Sequence, residues 1–211
     1  QNRNKRSLRL DLKSPQGRDV FLRMAQTADV IVAHFRPGTV DRLGIGYEAV
    51  RAINPRIIYA SASAFGQTGP YAAWPANDPI VQAVAGLMDM TGEPEGLPVR
   101  LGAPLPDFGA AAMMALGITA ALLHRERTGE GQRLDTSLLG ASLFSTIPRD
   151  GEAIRSGKAP SRLGSGHPTM VPYRNYQGSD GKYFFAACFT EKFWRNLCQV
   201  LDRADLLTDA R

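Results

Sequence analysis

Residues 102–132, with the sequence GAPLPDFGAAAMMALGITAALLHRERTGEGQ, decide the fold of this chain. Small and apolar residues recur in this stretch at helical spacing, which predicts one long helix packed into the core. Arg125 and Arg127 fall in its last turn, and Gly129 follows as a left-handed cap. Asp107 stands just before the helix, where we expect it to be the N-cap. The predicted apolar face consists of Phe108, Ala111, Ala112, Ala115, Leu116, Thr119, Leu122 and Leu123.

The position of Asp107 leaves two interpretations open. A plain helix cap is the first, and position alone favours it, because aspartate is among the residues preferred there. A reactive carboxylate is the second, since Pro104 and Pro106 fix the chain before Asp107 and Gly109 leaves room after it. Helix amides would stabilise the anion, so we expect Asp107 to be ionised at neutral pH. An ionised carboxylate can attack an activated carbonyl and form a covalent intermediate.

Short apolar segments alternate with helical patterns on both sides of this stretch, as in a doubly wound parallel sheet. The fully apolar segment Val30–Ala33 is typical of a strand buried on both faces. We therefore predict an α/β fold with a Rossmann-like parallel sheet and helices on both faces. The predicted strands are residues 8–12, 30–33, 57–61 and 133–137, followed by a strand at 183–187. The predicted helices are residues 15–28, 39–43, 47–53, 80–88, 108–127, 138–146 and 191–201.

The same patterns predict how the chain is divided. Residues 1–148 form a large Rossmann-like domain, and residues 149–170, rich in Gly, Ser, Pro and Arg, form a linker or a loop over a site. Residues 171–211 form the beginning of a second, smaller α+β lobe. Because the chain starts at Gln1 and stops inside this lobe, we expect it to be a fragment of a longer protein.

Composition excludes several classes of protein. The 211 residues are 44% hydrophobic and 21% charged, which is typical of a globular chain. The net charge of +5 is scattered, so we expect no nucleic-acid partner. The long helix is too short and too rich in small residues to suggest a membrane span. The two cysteines, Cys188 and Cys198, form no metal motif and are interpreted as packing residues in a reducing, cytoplasmic compartment.

Three further polar groups are candidates for a site. His34, Phe35 and Arg36 follow a predicted strand, and ligands of open α/β sheets bind at the carboxyl ends of strands. Arginine pairs with phosphate and phenylalanine packs on an adenine, so this segment, joined by Arg42, could hold a phosphorylated nucleotide or could be a plain polar loop. Asp78 is either a helix-start cap or part of a substrate pocket. The roles of His34 and His167 are left open.

Several segments together resemble the class III coenzyme A-transferase family, the superfamily of formyl-CoA transferase and α-methylacyl-CoA racemase. The resemblance covers nearly the whole chain in the right order. It is carried by Asn4-Lys5-Arg6-Ser7, Leu10-Asp11-Leu12-Lys13, Phe35-Arg36-Pro37-Gly38, Arg42-Leu43-Gly44, Asn54-Pro55-Arg56, Phe65-Gly66-x-x-Gly69-Pro70-Tyr71 and Thr128-Gly129-x-Gly131-Gln132.

This resemblance implies a function and a set of residues. Asp107 would attack the thioester of an acyl-CoA, and an aspartyl anhydride and an aspartyl-CoA thioester would follow before CoA passes to a free carboxylic acid. Arg36 and Arg42 would meet the phosphates of CoA, Leu10 and Phe35 would border its adenine, and His34 would complete the site. The resemblance also implies an interlocked homodimer. We expect no metal cofactor, because the sequence has no CxxC motif and no histidine cluster.

Other functions stay open beside CoA transfer. Racemases of this superfamily carry a catalytic histidine directly before the aspartate that matches Asp78, and Asn77 occupies that place here. Asparagine cannot exchange the α-proton, which favours a transferase over a racemase. An inactive CoA-binding fragment and a nucleotide-binding module without catalysis are the remaining alternatives.

Overall fold

The computed structural model of the protein describes residues 2–208, which form two compact units. The first unit extends to Leu87 and continues from Arg100 to Lys158. The second consists of Met88–Val99 and the described residues from Ala159 onward. Every residue predicted to react or to bind CoA therefore lies in the first unit. The domain limits drawn from the sequence stay a prediction.

A three-stranded parallel sheet forms the centre of the first unit. Its strands are β1 (Val30–Ala33), β2 (Ile58–Ser63) and β3 (Gln132–Ser137), in the order β1-β2-β3. Val30 pairs with Ile58, and Ile58 in turn pairs with Gln132, so all three strands end at the same edge. The predicted α/β class with a parallel sheet is thereby confirmed.

The predicted strand at residues 8–12 is wrong. These residues form irregular structure and a turn, and they pair with no strand of the described chain. The turn is local: the backbone N–H of Lys13 donates to Asp11 Oδ1 at 3.0 Å, and the Ser14 hydroxyl donates to the Asp11 carbonyl at 2.8 Å. Alternating leucine and charged residues form a β-strand only when a neighbouring strand provides the backbone hydrogen bonds.

Helices cover both faces of the sheet. They are α1 (Pro15–Ala25), α2 (Thr39–Arg42), α3 (Tyr47–Arg51), α4 (Asp78–Val84), α5 (Leu105–Thr128), α6 (Leu138–Thr146) and α7 (Arg149–Ser156). One core cluster joins α1 and α3 to the sheet around Tyr59, whose hydroxyl donates to the Ile45 carbonyl at 2.9 Å. Burial and the charge of Asp41 raise the pKa of Tyr59 to about 12, so it stays a neutral donor. A second cluster joins α4, α5 and α6 through Val81, Ala110, Leu138 and Ala141.

The long helix α5 buries a different face from the predicted one. Phe108, Leu116 and Leu123 are 61%, 72% and 55% exposed, whereas the buried residues are Pro106, Ala110, Met114, Ala121 and Arg125. The helix is apolar on most of its circumference, so periodicity alone does not identify the packed side. Close approach decides it: a Cβ added to Gly109 would lie 3.3 Å from the Ala141 side chain. The small residues Gly109 and Ala110 therefore allow α5 to approach α6 closely.

Helix α5 also has the length and composition of a membrane span. Its 24 residues contain a window of mean hydropathy 1.5, and 22% of that window is buried. Length and composition are weak evidence, because core helices of globular proteins pass the same test.

At the carboxyl end of α5, Gly129 adopts the predicted left-handed conformation at φ 81°, and its N–H donates to the Arg125 carbonyl at 2.8 Å.

Arg125 ties the last turn of α5 to the amino ends of two strands. Its Nη2 donates to Asp29 Oδ1 at 2.9 Å, and its Nη1 donates to the carbonyl oxygens of Asp29 at 3.4 Å and Arg56 at 3.3 Å. The Arg125 side chain is only 9% exposed. The guanidinium therefore satisfies carbonyl groups in the loops that lead into β1 and β2.

The second unit contains the antiparallel pair β4 (Tyr173–Gln177) and β5 (Tyr183–Ala187), the helix α8 (Glu191–Val200) and a 3₁₀ helix at Ala204–Leu207. Strand β5 and helix α8 match the sequence-based expectations closely. The predicted linker at 149–170 is wrong in its first part, because α7 occupies Arg149–Ser156. Cys198 is buried on α8, which agrees with a packing role, and Cys188 is half-buried.

Candidate active site

The carboxyl ends of β1 and β2 open into a cavity of about 390 Å³. We call it the inner cavity. Its lining includes His34, Arg36, Ser63, Trp74, Asn77 and Ile80. The segment after β1 and the residues that end β2 contribute to it together, as expected for a ligand site in a parallel sheet.

A second cavity of about 540 Å³, the outer cavity, lies beside the first. Its lining includes Leu10, Lys13, Phe35, Thr39 and Arg42. Phe35 lines both cavities, so one ring forms a shared wall. The structure thus brings the five predicted CoA-binding residues to two adjoining cavities, although Leu10 arrives there in irregular structure rather than on a strand.

Local structure explains how the arginines are placed. Gly38 adopts φ 73° as the N-cap residue of α2, a conformation that favours glycine and turns the chain sharply after Arg36. Helix α2 then carries Arg42 in its only turn, where Nη2 of Arg42 donates to the Thr39 hydroxyl at 3.1 Å. Arg36 and Arg42 are both exposed and free to meet an anionic ligand.

Asp107 is not the N-cap of α5, which corrects the expectation from its position. The helix begins at Leu105, with Pro104 as the cap residue and no side-chain cap bond. The sequence Pro-Leu-Pro is compatible with an earlier start because proline is tolerated in the first turn. Asp107 therefore lies inside the first turn, still at the positive end of the helix, and its side chain is exposed.

Asp78 connects the start of α4 with the start of α5. It is the first residue of α4 and only 6% exposed, while the neighbouring Asn77 is the true N-cap. Asp78 Oδ2 accepts the backbone N–H of Asp107 at 3.3 Å, and Oδ1 accepts Nε2 of Gln82 at 2.6 Å. Gln82 is held in turn by the N–H of Leu101, which donates to its Oε1 at 2.9 Å. This chain of bonds fixes the backbone that carries Asp107.

The electrostatic surroundings of Asp107 raise its pKa, whereas the sequence led us to expect a stabilised anion. Partial desolvation is the largest cause, and the negative charge of Asp78 adds to it. The positive charge of His34 acts in the opposite direction and lowers the pKa. A carboxylate with a raised pKa is a stronger nucleophile when ionised, since nucleophilicity follows basicity.

The two neighbours of Asp107 predict shifts of opposite sign in the pH dependence of activity. If the ionised form reacts, activity is lost as the pH falls through the pKa of Asp107. Asp78→Asn removes a charge that raises this pKa, so the acid limb should move to lower pH. His34→Asn removes a charge that lowers it, so the acid limb should move to higher pH. Profiles of kcat against pH for both variants test this pair, and shifts in the same direction would contradict it.

His167, the other histidine considered from the sequence, is not among the residues that line these cavities. His167 belongs to the second unit, where its ring lies 4.8 Å from the ring of Tyr173 and its Nδ1 accepts the N–H of Thr169 at 3.2 Å. These contacts give His167 a local role in a turn. Among residues 2–208, no group of three or more His, Cys, Asp and Glu side chains could hold a metal ion.

The sequence did not single out several residues that line the cavities. Lys13 adds a positive charge to the outer cavity, and Ser63 and Trp74 contribute to the inner one. Trp74 packs against Tyr71 with ring centroids 4.6 Å apart, and Phe65 completes this aromatic cluster. The signal for Trp74 was present in the glycine- and proline-rich loop that follows β2, because a long loop after a strand is often functional.

Comparison with known proteins places the chain in a family. The model of CoA-transferase family III matches residues 1–211, and the chain belongs to this family. It is 44% identical over 211 residues to acetyl-CoA:oxalate CoA-transferase of Acetobacter aceti, covering 100% of this chain and 54% of that protein. It is 39% identical to succinyl-CoA:mesaconate CoA-transferase of Haloarcula hispanica, covering 99% and 53%. The chain thus spans about half the length of the curated relatives it matches.

Solved structures agree with this assignment. A CAIB/BAIF family protein from Brucella suis is similar with a TM-score of 0.85 and 37% identity, covering 100% of this chain and 55% of that one. A protein from Mycobacterium tuberculosis has a TM-score of 0.88 and 31% identity, with 100% and 55% coverage. The arrangement of elements described above is therefore that of the family.

Proposed function

We propose that the protein transfers CoA from an acyl-CoA to a free carboxylic acid, with Asp107 as the nucleophile. The observation that carries the proposal is an exposed carboxylate whose backbone is bonded to Asp78, the residue next to a lining residue of a ligand-sized cavity. Asp78 bonds to the backbone of Asp107, its neighbour Asn77 lines the inner cavity, and the charge of His34 in that cavity acts on Asp107. The names of the relatives, which include oxalate and mesaconate CoA-transferases, support the same class of reaction.

The two cavities suggest how CoA would lie. The outer cavity offers Arg42 and Lys13 for phosphate groups, and Phe35 offers a ring for the adenine. Arg36 lines the inner cavity together with Phe35, and there it can meet the remaining phosphates. The pantetheine arm would then extend through the inner cavity and present the thioester to Asp107.

The proposed steps are balanced exchanges at carbonyl carbons. An Oδ of Asp107 attacks the thioester carbonyl, the C–S bond breaks with loss of the CoA thiolate, and a mixed anhydride of Asp107 and the acyl group is formed. The thiolate attacks the Asp107 carbonyl carbon and expels the donor acid, which leaves an aspartyl-CoA thioester. The acceptor carboxylate attacks that thioester, again expelling the thiolate and forming a second anhydride. The thiolate finally attacks the acceptor carbonyl, which forms the new acyl-CoA and restores the Asp107 carboxylate.

A trapped intermediate tests this proposal. When the complete gene product is incubated with an acyl-CoA and no acceptor acid, we expect its mass to rise by that of CoA less one water. Hydroxylamine should convert the adduct to an aspartyl hydroxamate, and peptide mapping should locate it at Asp107. Turnover of an acyl-CoA and acid pair without any adduct on Asp107 would overturn the proposed mechanism.

Racemisation is less well supported than transfer. Asn77, which occupies the place of the racemase histidine, is the N-cap of α4 and accepts the N–H of Ile80 at 3.4 Å. This amide holds a helix end and supplies no second proton-transfer group. Uptake of deuterium at the α-carbon of an acyl-CoA, in the absence of acceptor acid, would favour racemisation instead.

A homodimer is part of the proposal. Phe108, Leu116 and Leu123 are mostly exposed on one helix, and apolar surface of this kind is usually covered by protein. A second copy of the chain is the occupant that the family resemblance implies. Light scattering on the complete gene product measures the oligomeric state directly, and a monomer would contradict this part of the proposal.

A further inference from the structure

The first turn of α5 has no side-chain cap of its own, and another helix supplies one. Pro104 occupies the N-cap position and makes no side-chain cap bond. The N–H of Leu105 donates to a carbonyl two residues before it at 2.9 Å, and Pro106 has no N–H to donate. The N–H of Asp107 is left, and Asp78 Oδ2 accepts it at 3.3 Å. Asp78 on α4 therefore does for α5 what the side chain of an N-cap residue usually does.

Gln82 holds this external cap in place. It is 0% exposed and lies one turn after Asp78 on α4. Its Nε2 donates to Asp78 Oδ1 at 2.6 Å, so the two oxygens of that carboxylate are bonded to different partners. A carboxylate bonded through both oxygens cannot rotate without breaking a bond, which keeps Oδ2 directed at the Asp107 N–H. A buried carboxylate also needs such bonds in order to stay charged.

The other end of the amide fixes its orientation. Oε1 of Gln82 accepts the N–H of Leu101 at 2.9 Å, and an amide oxygen cannot donate, so Nε2 must face Asp78. Nε2 also lies 3.5 Å from the carbonyl oxygen of Ala103. Leu101 and Ala103 belong to the chain that leads into α5. Gln82 thus reaches the helix of Asp107 by two routes, through Asp78 and through this preceding chain.

We propose that Gln82 is a positioning residue, which acts through Asp78 to hold the Asp107 carboxylate where it can attack a bound thioester. This role rests on the proposed function, because it requires Asp107 to be the nucleophile. Gln82 lines neither the inner nor the outer cavity, so it should affect the rate of transfer and not the affinity for CoA. A misplacement of about 1 Å at a reacting group costs on the order of 10²-fold in rate.

Amide hydrogen exchange, measured by mass spectrometry on the complete gene product without substrate, tests the bond itself. Gln82→Met removes the donor and the acceptor and keeps a side chain of similar length. We expect one amide in the peptide covering residues 105–110 to exchange about tenfold faster in this variant, because the N–H of Asp107 loses its fixed acceptor. Unchanged exchange in this peptide would overturn the proposed role.

Turnover measures the consequence for the reaction, with acetyl-CoA as donor and oxalate as acceptor. We expect kcat of Gln82→Met to fall on the order of 10–100-fold, because the nucleophile is no longer held in place. The dissociation constant for CoA should stay within about twofold of the parent value, since the cavities are unchanged. A tenfold loss of CoA affinity at unchanged kcat would overturn the positioning role.

A double-mutant cycle separates the two routes by which Gln82 reaches α5. Asp78→Ala removes both carboxylate oxygens, so Gln82→Met should lower kcat by less than about twofold further in that background. An equal loss in both backgrounds would mean that Gln82 acts through the chain before α5, and the role through Asp78 would be overturned. If Asp78→Ala does not fold, Asp78→Asn replaces it, because an amide in place of one accepting oxygen breaks the same link.

Asn54 provides a matched control for the loss of a structural amide. Its Nδ2 donates to the carbonyls of Ala25 and Ala28, both at 2.9 Å, and its Oδ1 accepts the N–H of Arg56 at 3.1 Å. It lies in the same unit and lines neither cavity. Asn54→Leu should lower the unfolding temperature, yet leave kcat and the exchange of residues 105–110 unchanged. A similar fall in kcat in Asn54→Leu would show that lost stability explains Gln82→Met, and would overturn the role.

Failure of the proposed function has a different signature. If the parent protein neither transfers CoA nor forms the adduct on Asp107, the proposed function fails, and the role of Gln82 fails with it. If the parent is active and Gln82→Met has the same kcat, only the role of Gln82 is overturned.

Discussion

Asp107→Asn should reduce CoA transfer by on the order of 10³-fold or more, because it removes the atom that forms the covalent intermediate. The amide has nearly the same size and shape, so the start of α5 and the cavities should stay in place. Affinity for CoA should change little, since Asp107 does not line either cavity. The measurement is kcat for transfer between an acyl-CoA and an acid, together with the dissociation constant for CoA.

Asp150→Asn is the matched control for this experiment. Asp150 also lies in the first turn of a helix, α7, in the same unit, and lines neither cavity. We expect its activity to equal that of the parent protein. If Asp107→Asn kept more than about a tenth of the parent kcat, the carboxylate would not be the nucleophile, since nucleophile removal costs far more.

Arg125→Ala should destabilise the first unit by about 2–3 kcal/mol. The ion pair contributes little of this, because the Asp29 side chain is 78% exposed and its charge is screened by water. Most of the loss comes from the Arg56 carbonyl group, which loses the guanidinium donor, and from the buried arm of the arginine, since the Asp29 carbonyl still accepts the N–H of Ile58 at 3.1 Å. The free energy of unfolding in denaturant measures the effect.

Arg127→Ala gives the comparison for Arg125. Arg127 lies in the same last turn of α5, but it is exposed to solvent. Its removal should change the free energy of unfolding by less than about 0.5 kcal/mol. Equal effects for the two variants would mean that Arg125 does not anchor the helix. Added salt should leave the difference between them largely intact, because it depends mainly on neutral acceptors.

The elements that the sequence predicted well are those with a local cause. Helix α6 starts at the capping side chain of Ser137, whose hydroxyl accepts the N–H of Gly140 at 2.9 Å, and it follows directly from β3. The apolar segment Val30–Ala33 became a strand as expected, but it is not buried on both faces, because Val32 is 60% exposed. Pattern and capping chemistry are readable in the chain itself, so both predictions required no knowledge of distant contacts.

The errors arise where distant contacts decide. Residues 8–12 have the alternation of a strand, but no neighbouring strand pairs with them. On α5, the buried side depends on what approaches it, and a helix with small apolar residues all round does not reveal that. The predicted start of α5 was too late. A carboxylate before an apolar pattern suggests an N-cap at Asp107, whereas Pro104 is the cap residue and the helix begins at Leu105.

The residues of the candidate site likewise fall into those that the local sequence reveals and those that depend on distant contacts. Phe35, Arg36 and Arg42 were found because charged and aromatic residues after a strand are visible in the sequence. Asp78 was noted only as a cap or pocket residue, because its bond to the Asp107 backbone joins segments far apart in the chain. Ser63 was assigned to the glycine- and proline-rich loop that follows β2, whereas the structure places it at the buried end of the strand, since burial cannot be read from a serine in a loop-like stretch.

The close contact of Gly109 with α6 has a consequence for how the sequence can change. A methyl group added at this position would lie 3.3 Å from the Ala141 side chain, and α6 or α5 would have to shift by a few tenths of an ångström. Asp107 lies two residues away on the same rigid turn, so it would move with the helix. A substitution that touches no ligand would thereby change the reach of the carboxylate, which makes residue 109 a poor choice for engineering.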